Sequence, residues 1–442
     1  MKNLKYFGNF LFETTEIKQK GLNIKRFYYT LLIFAVLVGL LILPTTFSSL
    51  TTQIVIKSSG QISVNVVIAK SGLAKDIQDA VNTVNAAGGG TVKIPEGTFY
   101  WNGETVNIPG GVNIIGAGPA GCDGYPNFKV YTAKTILKDN VYPSSGDHPM
   151  FYIDGSNGKP VRISGIRFEA KAPPNVNAEG RTVAIMAHKV KNLRVDHCTF
   201  IDFSGTAVDV SNTVDGTASA VIDHCVIDNP YKLTGQNWVW AYGCYVTGRS
   251  YWWNDQTAPI TSFLGKYEDI PSGFPVMFVE DCKISRCRHA VDAIQGGWIV
   301  ARYNYIDHPY PTDYGQLEVH GAGSGSWPSA RGFEFYNNIV VGESGEYAEL
   351  TWLRGGGGVV FNNTFIMSEG YAIGLYRENC PQQPDEVLHN VWIWDNTVSG
   401  GTLIHNAGNF QLNVDYFLRT PNQQQDGFTY KPYPYPHPLT SE

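Results

Sequence analysis

The chain has 442 residues, with 33 Lys and Arg against 39 Asp and Glu, a formal charge of −6, 47 Gly and 13% aromatic residues. That length holds two or three ordinary domains or one long solenoid. The acidic balance leaves no basic footprint, which argues against a nucleic-acid partner, although local Arg clusters leave an acidic polymer open.

Lys2, Lys5, Lys18, Lys20, Lys25 and Arg26 make residues 1–26 a basic segment, and residues 27–43 form an apolar run of 17 residues without a charge. That bias keeps the N-terminus inside and sends the rest across. Taken as 27–44, the run suits either a retained transmembrane anchor or a signal segment cleaved near Ser48 and Ser49. Both remain open, and both place the body outside the cytoplasm. Residues 45–63 are a polar linker rich in Ser and Thr.

Residues 75–87 carry Ile77, Ala80, Val81, Val84 and Ala87 on one helical face, and Gly88, Gly89 and Gly90 end the helix. A solenoid has an open hydrophobic end that needs a cap. An amphipathic helix just before the first coil supplies one.

From there one short phrase recurs. Asp196-His197-Cys198, Asp223-His224-Cys225 and Glu280-Asp281-Cys282 are followed by Tyr303-Asn304, Asn337-Asn338, Asn362-Asn363 and Asp395-Asn396. One column then reads Cys198, Cys225, Cys282, Asn304, Asn338, Asn363, Asn396, at spacings of 27, 57, 22, 34, 25 and 33. A period in the twenties with insertions marks a solenoid. Stacked Asn side chains can hydrogen-bond along such a stack. The seven Cys are read mostly as small buried core residues, although neighbouring column Cys would be close enough for a disulfide. The double spacing before Cys282 predicts a long loop at 247–275, with Trp238, Trp240, Tyr242, Tyr245, Tyr251, Trp252 and Trp253 in and before it. Those rings either anchor their own loop or form a sugar platform. Residues 411–442 are a Pro/Tyr-rich tail, and from Phe428 to Pro438 Pro alternates with Tyr and Lys, a stretch expected to be extended and surface-bound.

The stretch 77–118 resembles the opening of right-handed parallel β-helix proteins of the pectin-lyase-like group. The resemblance rests on Ile77-Gln78-Asp79-Ala80-Val81, the triple Gly, Ile94-Pro95-Glu96-Gly97-Thr98-Phe99 and Ile114-Ile115-Gly116. The Cys/Asn column extends it to about residue 400. It implies an all-β fold, a single right-handed parallel β-helix over 64–410, and a role on polysaccharides as lyase, hydrolase or adhesive protein. Polygalacturonase-type hydrolases carry Asn-Thr-Asp, Asp-Asp, Gly-His-Gly and Arg-Ile-Lys, and this sequence has none of them; His320-Gly321 lacks the preceding Gly. Asn102-Gly103-Glu104 lies too early for the signature of alginate and chondroitin lyases. No catalytic residue is therefore carried over from a named family.

Strand alternation places Val208, Val210, Val291, Ala293, Leu317, Val319, Ala348 and Leu350 inside. Asp209, Asp292, Glu318, Glu349 and Gly374 then share one outward column, with His320, Thr351 and Tyr376 in the next. On successive coils about 4.8 Å apart, Asp292, Glu318 and Glu349 would be like charges side by side. A bound cation, an Arg partner or a proton held at a raised pKa must offset them. These three acids are the first candidates for acid/base catalysis or for binding Ca²⁺, with His320 and Arg354 next. Trp298, Trp352, Arg302, Arg377 and Tyr376 are candidates for substrate binding, and Arg286, Arg288, His289 and Trp327 lie near them. Two carboxylates suit glycoside hydrolysis; a base with a cation suits β-elimination from a uronate. The competing reading is a solvated charge ladder on a non-catalytic glycan-binding, adhesive or structural protein. His197 and His224 recur with the coil and are read as structural. Whether the chain forms an oligomer such as a trimer stays open.

Overall fold

The computed structural model describes residues 52–56, 62–174, 179–211, 219–230, 241–248, 261, 263–267, 275–307, 315–322, 328–378 and 387–441. The basic segment, the apolar run, most of the loop expected at 247–275 and Trp327 lie outside these residues. Among the described residues no helix is long and apolar enough to cross a membrane.

Strands succeed one another in a repeating order, one to each of three sheets of 13, 10 and 11 strands. Val276–Glu280, Lys283–Ser285 and His289–Ile294 form one such coil, and Trp298–Arg302, Tyr305–Asp307 and Leu317–Val319 the next. Each strand pairs in parallel with its counterpart one coil away; the antiparallel pair of Thr52–Ile56 with Ile62–Ile68 at the start is the exception among the named strands. The architecture is a parallel β-helix solenoid, and the rule for parallel crossovers makes it right-handed. Alternation fills its interior: Met277, Val279, Val291, Ala293, Ile299, Ala301, Leu317 and Val319 all belong to one buried core. Each fully buried Val, Leu or Ile contributes about 1.5–3 kcal/mol.

The recurring phrase makes the corner between the 13- and 10-stranded sheets. The residue just before each column position has a left-handed backbone: His197 (φ 50°), His224 (54°), Asp281 (57°), Tyr303 (57°), Asn337 (59°), Asn362 (53°) and Asp395 (50°). Asn, Asp and His tolerate this conformation better than most side chains, which explains most of the residues in that place. Column side chains then point inward and link the coils. Asn338 Oδ1 accepts from the Asn304 amide (3.1 Å) and from Asn304 Nδ2 (3.0 Å). Asn363 and Asn396 repeat the pattern one and two coils on. Cys198, Cys225 and Cys282 are buried free thiols, and no disulfide joins the described Cys.

The helix Ala74–Ala86 buries Ile77, Ala80, Val81 and Val84 against Ile62–Ile68 and the first strands, Gly90–Lys93, Val106–Pro109 and Val112–Ile115. Ala87, expected on the same face, is its exposed C-terminal cap residue.

The tail runs back along the outer face of the 13-stranded sheet. It is extended except for the turn of helix Gln423–Asp426 and the 3-10 turn Pro438–Ser441. Phe428 packs edge-on against Trp392, Tyr430 against Phe361 and Trp394, Tyr433 against Phe278, and Tyr435 stacks on Tyr303 at 3.7 Å. Phe278, Trp298, Tyr336, Val359 and Trp392 thereby form a second apolar cluster outside the coil.

Candidate active site

Strands His289–Ile294 and Leu317–Val319 are neighbours in the 11-stranded sheet, with Asp292 opposite Glu318. Their flanking residues point into the core, so the two acids share the other face. Both are buried, Asp292 at 1% and Glu318 at 0% exposure.

Glu318 is held by two bases. Arg354 Nη2 reaches its Oε1, and His289 Nδ1 lies 2.5 Å from its Oε2. His289 Nδ1 is also 2.6 Å from the Gly315 carbonyl. Burial pulls the His289 pKa down to about 3, so the ring is neutral. Arg354 continues through Nη1 to Glu378 Oε1, and Glu378 Oε2 lies 3.3 Å from His320 Nδ1. Burial alone would lower the His320 pKa. The hydrogen bond and charge of Glu378, with Asp292 behind them, outweigh it and push His320 up to about 9. Burial works against ionised Glu378, but His320 and Arg354 hold its carboxyl below the usual range.

No carboxylate oxygen of Asp292 or Glu318 has a hydrogen-bond partner among the described residues. Asp292 differs in having no base at ion-pair distance among them, where Glu318 has Arg354 and His289. Burial raises the Asp292 pKa, and the charges of His320, Arg354 and Arg288 offset this only in part. A buried acid that favours its proton therefore sits one rung, about 4.8 Å, from an acid that Arg354 reaches.

Glu349 does not extend this pair. The outward run breaks at Leu350 into two short strands, Tyr347–Glu349 and Thr351–Leu353, both pairing with Glu369–Leu375. Leu350 and Thr351 are both buried, and Thr351 lies opposite core residue Leu317, so the register moves by three residues and Trp352 is the neighbour of Glu318. By the same shift Arg354, not Thr351, lies between His320 and Tyr376. Glu349 instead accepts from the Tyr376 hydroxyl, from Trp352 Nε1 at 3.2 Å and from His405 Nδ1 at 2.7 Å. Gly374 makes room for this cluster: a Cβ there would lie 2.5 Å from the Tyr376 ring and 2.7 Å from Glu349 Oε1. The Ca²⁺ set Asp292, Glu318 and Glu349 is thus not assembled. Among the described residues no three His, Cys, Asp or Glu side chains are placed to hold a metal ion.

Trp298 and Arg302 do not join the acid pair. They belong to the 13-stranded sheet, on a different face of the coil, where the tail covers them. Trp298 joins the outer apolar cluster, and Arg302 binds Glu280 Oε2 and the Tyr433 and Pro434 carbonyls of the tail. Arg377 reaches the Gly408 carbonyl at 3.4 Å and covers the Phe410 ring. Alternation pointed to Asp292 and Glu318 but did not single out Glu378 and His405. One sequence signal marks Glu378, which continues the outward alternation past Tyr376; His405 is placed only by the strand pairing that sets it opposite Gly374 one coil on.

No protein-family model matches the chain, and no curated protein sequence matches it. Among solved structures, it is similar to an alginate lyase from Paenibacillus sp. str. FPU-7, at 14% identity over 78% of this chain and 99% of that one, with a TM-score of 0.46. It is also similar to an exopolygalacturonase from Thermotoga maritima, at 13% identity over 75% and 78%, with a TM-score of 0.43. A third is PfbA, a surface adhesin of Streptococcus pneumoniae, at 10% identity over 75% and 89%, with a TM-score of 0.36.

Proposed function

We propose that the chain is an extracytoplasmic, carbohydrate-active β-helix protein that hydrolyses glycosidic bonds of a polysaccharide. The observation that carries this is the unequal acid pair: both are buried, but among the described residues only Glu318 has bases, Arg354 and His289, at ion-pair distance. Environments that push two neighbouring carboxyls apart assign their roles. Protonated Asp292 donates its proton to the glycosidic oxygen as that bond to the anomeric carbon breaks. Glu318 attacks the anomeric carbon and forms a glycosyl ester. Ionised Asp292 then takes a proton from water, whose oxygen displaces Glu318 and releases the sugar. Adjacent rungs fit the carboxyl spacing of about 5–5.5 Å that goes with retained anomeric configuration. β-Elimination is less well supported. His320, pushed up to about 9, is already protonated at neutral pH and cannot take a proton, and Arg354 is occupied by two carboxylates. The exterior location is supported by the apolar run at 27–43 behind Lys25 and Arg26.

The burial of both acids favours a second reading, a non-catalytic glycan-binding or adhesive face in which the Glu318–Arg354–Glu378 network is scaffold. One experiment separates the two. The full chain is incubated with neutral glycans and polyuronates, with and without Ca²⁺, while new reducing ends and the unsaturated-uronate absorbance band are followed. Reducing ends without that band, lost in Asp292→Asn and in Glu318→Gln, support hydrolysis. The absorbance band would mean a lyase. No product from any glycan, with binding retained, would mean adhesion.

A further inference from the structure

The acid pair continues along the coil stack into an aromatic patch. In register, the outward positions run Asp292, Glu318, Trp352, Gly374, His405. Trp352 packs on Tyr376 at 5.5 Å between centroids, and His405 stacks on Tyr371 at 4.5 Å. Tyr347, 39% exposed, stands edge-on to Tyr371. Trp352 Nε1, the Tyr376 hydroxyl and His405 Nδ1 all turn to Glu349, whose carboxylate is buried beneath them. The patch therefore presents ring faces and ring edges above the buried Glu349 carboxylate.

The cations give the second observation. Arg354 is taken by Glu318 and Glu378, and His320 by Glu378. Arg288, the third cation whose charge reaches Asp292, likewise has its own interaction. A uronate carboxylate entering here would find Arg354 and His320 already engaged by Glu318 and Glu378. A charged ligand group that loses its water without gaining a counter-charge binds at a cost.

Building on the hydrolytic reading, we infer that the substrate is an uncharged polysaccharide lying along the coil axis, its chain passing from the Asp292–Glu318 pair over Trp352 onto Tyr376, Tyr371 and His405. Coils repeat at about 4.8 Å, so a polymer running along the axis meets one new rung with each short advance. The flat C–H faces of neutral sugar rings suit aromatic faces, and their hydroxyls need no counter-charge.

The test is equilibrium binding of the full chain to cello-, xylo- and manno-oligosaccharides and to oligogalacturonate and oligoalginate, at low and high salt, alongside the reducing-end assay. At least one neutral oligosaccharide is expected to bind independently of salt, with the uronates at least about tenfold weaker. Trp352→Ala should weaken neutral binding about tenfold. Tyr371→Ala, farther from the acids, is the second variant should Trp352→Ala not fold, and should weaken it less. Uronates binding or being cleaved better than every neutral glycan would overturn the inference; if Asp292→Asn abolished that cleavage, the acid-pair reading would still stand. Neutral cleavage unaltered in both aromatic variants would overturn the track while leaving the acid pair. Absence of binding to every probe overturns the inference outright.

Discussion

Two outer faces of the same solenoid bury acids and treat them in opposite ways. On the 13-stranded sheet, Glu280 is fully buried, yet its two oxygens accept from Arg302 at 2.7 Å and from the His437 amide at 2.8 Å. Glu334 on the same face accepts from the Gly265 amide at 2.8 Å and the Tyr430 hydroxyl at 2.7 Å. The tail supplies half of these donors and seals the face. On the 11-stranded sheet, Asp292 and Glu318 are as deeply buried and none of their carboxylate oxygens has a hydrogen-bond partner among the described residues; Asp292 also lacks the ion-pair contacts of Glu318. Buried polar groups are satisfied as a rule. A scaffold that satisfies one set of acids so completely makes the unsatisfied one the better candidate for chemistry.

Breaking the unsatisfied side should have the largest effect on activity. Asp292→Asn is expected to lower kcat by about 10²–10⁴-fold, measured as reducing ends released from the best neutral glycan. Its stability should move the other way. A raised carboxyl pKa means that folding favours the protonated form, so the benefit is present below the ordinary carboxylate range and lost as pH rises through the shifted value. Asp292→Asn should therefore be more stable than wild type at neutral pH, with the gap narrowing toward acid in urea titrations. An unchanged gap from pH 4 to pH 8 would contradict the assigned environment.

Breaking the satisfied side should cost stability instead. Arg302→Ala leaves Glu280 buried without its cation and is expected to cost about 3–5 kcal/mol in urea unfolding, while the turnover of molecules that remain folded is kept. A comparable loss of turnover in folded protein would erase the distinction between the faces. A smaller effect comes from the coil-linking ladder. Asn338→Ala removes the acceptor of the Asn304 amide and side chain and should cost about 1–3 kcal/mol.

The smallest effect sharpens the site's electrostatics. His320 is pushed up to about 9, above its ordinary value near 6.5, so its contribution to stability is complete below about pH 6.5 and is lost as pH rises through about 9. His320→Gln should flatten the pH dependence of stability over that interval. A His320 titration near 6.5 by NMR would remove the Glu378 partnership from the account.

Where a residue repeats, local sequence was enough to place it. The corner residues His197 and Asn337 and the column residues Cys198 and Asn338 recur because every coil must turn and stack in the same way, so seven weak copies reinforce one another. The opposition of Asp292 and Glu318 also followed from alternation, because both strands are uninterrupted at that point. Glu349 did not follow: the break at Leu350 shifts the register, and only the pairing with Glu369–Leu375 reveals it. Trp298 and Arg302 look like surface groups by alternation, but a tail more than 120 residues later covers them.

The sequence by itself determined the winding of the chain, because coil geometry is imposed locally, by left-handed corner residues and period-two strands, once per turn. Only the tertiary structure decided which outward side chains are satisfied and which are left bare. That depends on what arrives from distant parts of the chain: Glu378 and Arg354 from later coils to clasp Glu318 and His320, Tyr430 and His437 from the tail to quiet Glu334 and Glu280, and no hydrogen-bonding partner among the described residues for Asp292.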